Sequence, residues 1–176
     1  MSLQNKQPES KELLEKYWIS GKKFHTKTFS FIKKYQNKII VIKYGGYALT
    51  KPALLKSFAK NISLLNQLGI KVIVVHGGGP QIEKELKKRK INNEEYQGLR
   101  VTTKSVLGVV KRILSHDLNK LISDEIKKNG GKTKRFNGVS SKVLNAKIAM
   151  NGNIGFVGEP RGIDKNIIMK VLKSNH

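Results

Sequence analysis

The chain has 176 residues, a formal net charge of +23 at pH 7 and no cysteine. A chain of this length can bury one sizeable core. The absence of cysteine excludes disulfides and thiolate metal sites, and the scattered histidines show no metal-ligand spacing. No apolar run approaches the roughly 20 residues that cross a membrane, and the amino-terminal residues resemble neither a signal peptide nor a transit peptide. We therefore expect a cytoplasmic protein without a metal site or a membrane partner.

The excess of lysine raises the alternative of a nucleic-acid-binding protein, because clustered cations neutralise phosphates. The basic residues are spread along the chain, with short clusters only at Lys84–Lys90 and Lys127–Arg135. Lysine also outnumbers arginine, whose fork is preferred in base recognition, and no aromatic stacking motif accompanies the clusters. Composition therefore favours a solvated basic surface, and nucleic acid is not the expected partner.

Residues 1–37 are predicted to form a basic helical arm, followed by one α/β domain at residues 38–176. A helix from Ser10 would carry an apolar stripe, and a second short helical stretch would include Phe31 and Tyr35. Such an arm can lie on a membrane surface or pack on its own domain or on a second subunit. Its modest amphipathicity favours packing.

The most informative stretch runs from Ile39 to Pro80. Two β-branched runs, one starting at Ile39 and one at Val72, each end in glycines, and apolar residues at helical spacing lie between them. Continuous runs of this kind are typical of parallel strands buried on both faces. We predict a right-handed βαβ unit whose helix is capped by Thr50, with Pro52 in its first turn and Gly69 at its end.

Both glycine turns then fall at the carboxyl ends of neighbouring strands, where open α/β sheets place their ligands. Glycine lets backbone N–H groups surround an anion, and a helix that begins at Pro80 adds partial positive charge. Lys43 ends the first strand and can place an ammonium group at the same spot. Each turn taken alone is equally well explained as a tight connection between a strand and a helix. The combination favours an anion site.

After the βαβ unit, the pattern predicts a polar loop over residues 91–97 and an extended segment that contains Arg100. A long helix follows, capped by Thr102 or Thr103 and ended at Gly130. Short strands are expected at Val143–Ile148 and Ile154–Val157, and a last helix is expected near Ile167.

Three motifs in this order resemble those of the N-acetyl-L-glutamate kinases, which belong to the amino acid kinase family. They are Lys43-Tyr44-Gly45-Gly46, His76-Gly77-Gly78-Gly79-Pro80-Gln81-Ile82 and Gly98-Leu99-Arg100-Val101-Thr102. The likeness covers about residues 30–170 and corresponds to the amino-terminal half of the family's chain. It implies a three-layer sandwich around a mostly parallel sheet, truncated before the nucleotide-binding half.

The resemblance also implies roles for particular residues. Lys43 matches the lysine that stabilises the transferring phosphoryl group. Arg100 matches the arginine that holds a carboxylate of N-acetylglutamate. Without the resemblance, a surface ion pair between Arg100 and Glu94 or Glu95 would be the expected state. The glycines fall into two implied groups: the acetylamino-acid-binding residues Gly78 and Gly79, and the phosphate-loop residues Gly45, Gly46 and Gly77.

ATP and Mg²⁺ are the implied cofactors, and their site belongs mostly to the half that has no counterpart here. The implied reaction is phosphorylation of the γ-carboxylate of N-acetyl-L-glutamate in arginine biosynthesis, and the chain alone is expected to be inactive. The chain would form a homo-oligomer, dimeric or hexameric through the arm, or would bind a separately encoded carboxyl-terminal half. The alternative is a non-catalytic remnant that serves binding or oligomerisation.

Overall fold

The computed structural model describes residues 32–138 and 141–174. The predicted amino-terminal arm lies outside the described residues, except for a helical stretch at residues 32–35. The strands are β1 Ile39–Tyr44, β2 Lys71–His76, β3 Glu95–Tyr96, β4 Leu99–Arg100, β5 Leu144–Ile148 and β6 Gly158–Ile163. The α-helices are α1 Pro52–Gln67, α2 Gly79–Lys88, α3 Lys104–Arg112, α4 Asn119–Lys128 and α5 Lys165–Lys173. Short 3₁₀ turns occupy Ala48–Thr50 and Met150–Gly152, and a π-helical segment occupies Ile113–Leu118.

The βαβ unit is confirmed. Strands β1 and β2 are parallel and run in register from Ile39 opposite Lys71 to Tyr44 opposite His76, with α1 as the crossover. The α/β class and the parallel pairing are therefore as predicted.

Helix α1 has the predicted first turn and the predicted end, but its cap differs from the prediction. Pro52 opens the helix, where its missing N–H is harmless. The predicted cap at Thr50 is wrong, because Thr50 closes the preceding 3₁₀ turn and its Oγ1 donates to the Tyr47 carbonyl at 2.7 Å. Lys51 takes the cap position without a side-chain hydrogen bond. Gly69, with φ of +80°, ends the helix as predicted.

The core lies on one face of the strand pair. Ile42, Val72 and Val74 point to this face and pack against a cluster of buried apolar residues. Its members from the helices are Leu55, Ala59, Ile62, Ile82, Leu86, Val106, Val109, Ile113, Leu118, Ile122 and Ile126. The helices that carry these side chains thus form one layer against the strands.

The other face of the strand pair is open, which contradicts the prediction that the strands are buried on both faces. Ile39, Val41 and Val75 are 41%, 63% and 52% exposed. By the strand alternation and the register, Lys43, Lys71 and Ile73 lie on this same face. The described residues cover only one side of the pair, so they form two of the three predicted layers. We call these six residues the open face.

The predicted long helix is interrupted in its middle. Thr103 caps α3, and its Oγ1 accepts a hydrogen bond from the Val106 N–H at 3.3 Å. The π-helical segment then joins α3 to α4, which packs against α1. Gly130, with φ of +82°, follows the end of α4 as predicted. Single π-helical turns inside α-helices frequently occur at functional sites.

Two antiparallel hairpins complete the described chain. β3 and β4 pair through a tight turn at Gln97 and Gly98, both with positive φ, within a region that was predicted to be partly loop. β5 pairs with β6, so the strand predicted at Ile154–Val157 is wrong. Ile154 is instead buried, and Gly155 bridges to Thr102. The last helix is confirmed and is capped by Asp164.

Candidate functional site

The two glycine turns meet at the carboxyl ends of β1 and β2. We call Gly45–Gly46 the first glycine turn and Gly77–Gly79 the second glycine turn. The Gly77 N–H donates to the Tyr44 carbonyl at 3.1 Å, which continues the strand pairing into the turns. A Cβ on Gly46 would lie 2.8 Å from the Gly78 nitrogen and 3.1 Å from the Gly79 nitrogen. Because such contacts are too short for a side chain, the two turns can touch only with glycine at position 46.

The other glycines of the site have different surroundings. A Cβ on Gly45 or on Gly79 would meet no atom within 4 Å, so both backbones border open space. A Cβ on Gly78 would lie 2.6 Å from Leu118 Cδ1 and 2.7 Å from Leu114 Cδ2. The second glycine turn is therefore seated on the π-helical segment, and its exposed side is the side of Gly79.

Helix α2 starts in the second glycine turn. Its first N–H groups have no partner within the helix and carry partial positive charge, which suits a carboxylate or a phosphate. Gly79 and Glu83 are four residues apart and so lie on the same side of α2. A group that contacts Glu83 can therefore lie on the same side of α2 as Gly79.

Arg100 is that group. Its Nη2 donates to Glu83 Oε1 at 3.2 Å, so the alternative of a surface pair with Glu94 or Glu95 is not formed, although Glu95 lies opposite Arg100 in the hairpin. The hairpin of β3 and β4 directs the Arg100 side chain onto α2. Arg100 is only 21% exposed, and its Nε is buried without a partner among the described residues. The guanidinium therefore has unused donor capacity beside the helix end.

Lys43 is exposed at the end of β1. Within residues 32–138 and 141–174 it forms no ion pair, so its ammonium group is available. It extends from the open face, whereas the neighbouring Tyr44 points into the core, where its ring stacks on Phe58 with centroids 3.9 Å apart. The site thus has one cation on each side, Lys43 near the first glycine turn and Arg100 near the second.

Buried polar atoms without partners are concentrated around these turns. In the described part of the chain, the unpartnered buried side-chain atoms are the Tyr44 hydroxyl, Gln81 Oε1 and Arg100 Nε. Tyr44 precedes the first glycine turn, Gln81 follows the second, and Arg100 contacts α2. Burial raises the pKa of the Tyr44 phenol above its ordinary value, so the hydroxyl stays neutral. Native proteins leave few such groups unsatisfied, so each of these atoms calls for a water, an ion or a ligand as its partner.

The sequence reasoning missed Gln81 and Glu83 as members of this site. The Gln81 Nε2 donates to the Gly46 carbonyl at 3.0 Å and so links the two turns. Its position directly after the second glycine turn was a usable signal, because a side chain in the first turn of α2 can reach the neighbouring connection. Glu83 had no such signal, since its pairing with Arg100 depends on how the hairpin folds back.

The residues present fit one anionic group better than they fit a metal. The two glycine turns, the end of α2 and two cations suit a carboxylate or a phosphate. Among the described residues, no three side chains of histidine, cysteine, aspartate or glutamate are grouped so that they could hold a metal ion. Ligands for a Mg²⁺–nucleotide complex would have to come from elsewhere.

Comparison with known proteins identifies the family of the chain. Residues 38–176 match the amino acid kinase family model. The chain is 39% identical over 144 residues to the acetylglutamate kinase of Campylobacter curvus, which covers 82% of this chain and 51% of that protein. It is 36% identical over 161 residues to the acetylglutamate kinase of Psychrobacter cryohalolentis, with 85% and 54% covered. The chain therefore spans about half the length of the curated relatives it matches.

Solved structures show the same fold. The structure of smu.665 from Streptococcus mutans UA159 superposes with a TM-score of 0.67 at 26% identity, covering 80% of this chain and 57% of that one. An N-acetylglutamate synthase from Neisseria gonorrhoeae, complexed with coenzyme A and L-arginine, gives a TM-score of 0.61 at 20% identity, covering 84% and 36%. The likeness to the synthase shows the fold alone. With the family model matching most of its length, the chain belongs to the amino acid kinase family.

Proposed function

We propose that the chain is the acceptor-binding half of an acetylglutamate kinase and binds N-acetyl-L-glutamate beside its two glycine turns. The observation that carries the proposal is the contact of the two turns at the strand ends, with α2 starting in the second turn and Arg100 bonded to Glu83 of α2. An acyl amino acid with two carboxylates suits a site that has a cation on each side. The acetylglutamate kinases among the relatives point to the same ligand class.

In this proposal each residue has a defined task. Arg100 and the N–H groups at the start of α2 hold one carboxylate, and the guanidinium offers the planar fork that lysine lacks. Gly45 and Gly79 keep the space clear for the ligand, because their missing side chains border it. Lys43 stands at the other end, where a fixed cation offsets the negative charge that develops during phosphoryl transfer. MgATP, when bound, supplies the phosphoryl group.

We further propose that the remaining half of the family's chain, whether it continues this polypeptide or is a separate one, supplies the nucleotide site and packs on the open face. The curated relatives carry about as much chain again as is present here. Val41 and Val75 are more than half exposed on the open face, and β1 and β2 pair only with each other within the described residues. A second copy of this chain is a poor occupant, because Lys43 on each copy and the overall positive charge would repel. The occupant we commit to is the counterpart of the relatives' remaining half. We also propose that the protein acts in the cytoplasm.

The direct test of the acceptor site is calorimetric titration of the chain with N-acetylglutamate, with glutamate as the control ligand. The Arg100→Lys variant keeps the charge but loses the fork. The loss is about 1–3 kcal/mol for a desolvated pair and under about 1 for an exposed one. Arg100 is mostly buried, so we expect a value within the desolvated range.

Arg89→Lys is the matched control. Arg89 sits just beyond the other end of α2, where it pairs with Glu85 at 2.7 Å, so the same substitution there should not change ligand affinity. Tight binding that Arg100→Lys leaves intact would show that the acceptor lies in another pocket. Phosphoryl transfer by residues 1–176 alone would contradict the proposal that the remaining half of the family's chain supplies the nucleotide site.

The docking surface is tested by adding the remaining half of a relative as a separate polypeptide and measuring complex formation and phosphoryl transfer. A Val41→Lys, Val75→Lys double variant should abolish both. Leu54→Lys is the control, because Leu54 is 47% exposed on α1 and lies off the open face. In an active assembly, Lys43→Ala should lower kcat far more than it changes ligand affinity. Self-association of the chain without binding of the added half would instead indicate that a second copy occupies the open face.

A further inference from the structure

Gln81 spans the gap between the two glycine turns. It lies in the first turn of α2, and its Nε2 donates to the carbonyl of Gly46, 35 residues away in the chain, at 3.0 Å. Neither glycine turn has side chains of its own with which to hold the other. In the described residues, Gln81 makes the side-chain hydrogen bond that joins them.

The hydrogen bond from Gln81 to Gly46 acts where the two glycine turns are already in close contact. The Gly46 backbone already approaches Gly78 so closely that a Cβ does not fit between them. Among the described residues, one backbone hydrogen bond continues the strand pairing into the turns, from the Gly77 N–H to the Tyr44 carbonyl. Gln81 adds the side-chain bond that ties Gly46 to the start of α2.

The Oε1 atom of the Gln81 amide is a buried acceptor that needs a donor from a water or a ligand. Nε2 must be the atom that faces Gly46, because a carbonyl oxygen can only accept. Oε1 therefore faces away from that carbonyl, and it is buried without a donor among the described residues. A buried acceptor left in this state is costly unless a water or a ligand supplies a donor.

We propose that Gln81 is a positioning residue that sets the distance between the first and second glycine turns for a ligand that contacts both. The inference rests on the proposed function, in which one carboxylate of N-acetylglutamate lies at the Arg100 side and the other near the first glycine turn. Gln81 acts through Gly46 and contributes no charge. Its removal should therefore weaken a ligand that spans both turns and spare one that reaches only the second.

The experiment uses the Gln81→Met variant, which keeps the length of the side chain and removes the donor. Gln67→Met is the matched control, since Gln67 Nε2 also bonds inside the fold, to Ser63 Oγ at 3.0 Å and to the Asn129 carbonyl at 3.2 Å. Affinity is measured for N-acetylglutamate and for N-acetylglycine, which has the acyl group and one carboxylate only. Amide hydrogen exchange is followed with no ligand present at Ala48 and Gly77, whose N–H groups donate to the carbonyls of Gly45 and Tyr44.

Gln81→Met should weaken N-acetylglutamate by about two- to tenfold, the worth of one hydrogen bond, and leave N-acetylglycine within about twofold. It should also speed exchange at both turns by a similar factor. Gln67→Met should change neither ligand affinity nor exchange at the turns. Unchanged exchange at the turns in Gln81→Met would overturn the proposal, as would equal losses for the two ligands. If the native chain does not bind N-acetylglutamate, the proposed function fails, and exchange alone decides the role of Gln81.

Discussion

The contact between the glycine turns predicts opposite outcomes for two adjacent glycines. Gly46→Ala puts a methyl group 2.8 Å from the Gly78 nitrogen and 3.0 Å from the Gly78 Cα. Gly45→Ala puts the same group where no atom lies within 4 Å. Neither glycine has a positive φ, so backbone strain does not distinguish the two substitutions. We expect Gly46→Ala to destabilise the chain and Gly45→Ala to leave its stability almost unchanged.

The size of the loss follows from the atoms involved. The alanine methyl in Gly46→Ala meets backbone, which cannot rotate away as a side chain can, so the gap must widen from 2.8 Å to at least the 3.4 Å of ordinary contact. Overpacking of this kind costs about 1–3 kcal/mol. The widening also strains the bond from Gln81 to the Gly46 carbonyl, which adds to the loss. Gly45→Ala should cost under about 0.5 kcal/mol.

Urea unfolding of the two variants and the native chain, followed by circular dichroism, measures the difference. A changed midpoint with an unchanged slope against urea would mean that stability itself has changed. Gly45→Ala should nevertheless weaken ligand binding, because its methyl projects into the space proposed for the ligand. Equal stability of Gly46→Ala and Gly45→Ala would refute the direct contact between the turns.

Three further predictions concern the core, the acid limit and the surface charge. Ser63→Ala should lower the free energy of unfolding by about 1–2 kcal/mol in urea titrations, because the fully buried Oγ donates to the Asn129 carbonyl at 2.5 Å. The hydrogen bond from Arg89 lowers the pKa of Glu85 below its ordinary value of 4.5. This stabilisation is present above the ordinary pKa and is lost as the pH falls through the lowered one. Glu85→Gln should therefore flatten the fall in unfolding midpoint as the pH is lowered below 4.5, and an unchanged fall would contradict this. Binding to duplex or single-stranded nucleic acid should be weak and should vanish by about 0.15 M salt, and sub-micromolar binding there would favour the nucleic-acid alternative.

The sequence predicted the elements whose cause is local. The β-branched runs at Ile39 and Val72, Pro52 at the start of α1 and Gly69 at its end each act over a few residues, and all appear where expected. The cap at Thr50 failed because a 3₁₀ turn competes for the same residues, and one hydroxyl cannot serve both. The strand at Ile154–Val157 failed because the buried Ile154 and the bridging Gly155 anchor that segment to Thr102, which leaves pairing to the residues that follow.

The site was predictable as far as it follows from topology. Parallel strands bring their carboxyl ends together, so the meeting of the first and second glycine turns could be expected from the pattern alone. The partner of Arg100 could not, because nearby glutamates in the sequence competed with Glu83, which only the fold-back of the hairpin brings close. Gln81 was overlooked because its hydrogen bond joins two segments that are far apart in sequence.

The open face also gives the isolated chain an unusual solubility behaviour. At low ionic strength, the net charge of +23 holds neighbouring molecules apart. Added salt shortens the range of that repulsion from about 10 Å at 0.1 M to about 3 Å at 1 M, while attraction between apolar surfaces such as that around Val41 and Val75 persists. The second virial coefficient from light scattering should thus fall from positive to negative as salt is raised. The exposed face of this strand pair therefore favours storage of the chain in dilute buffer over storage in concentrated salt.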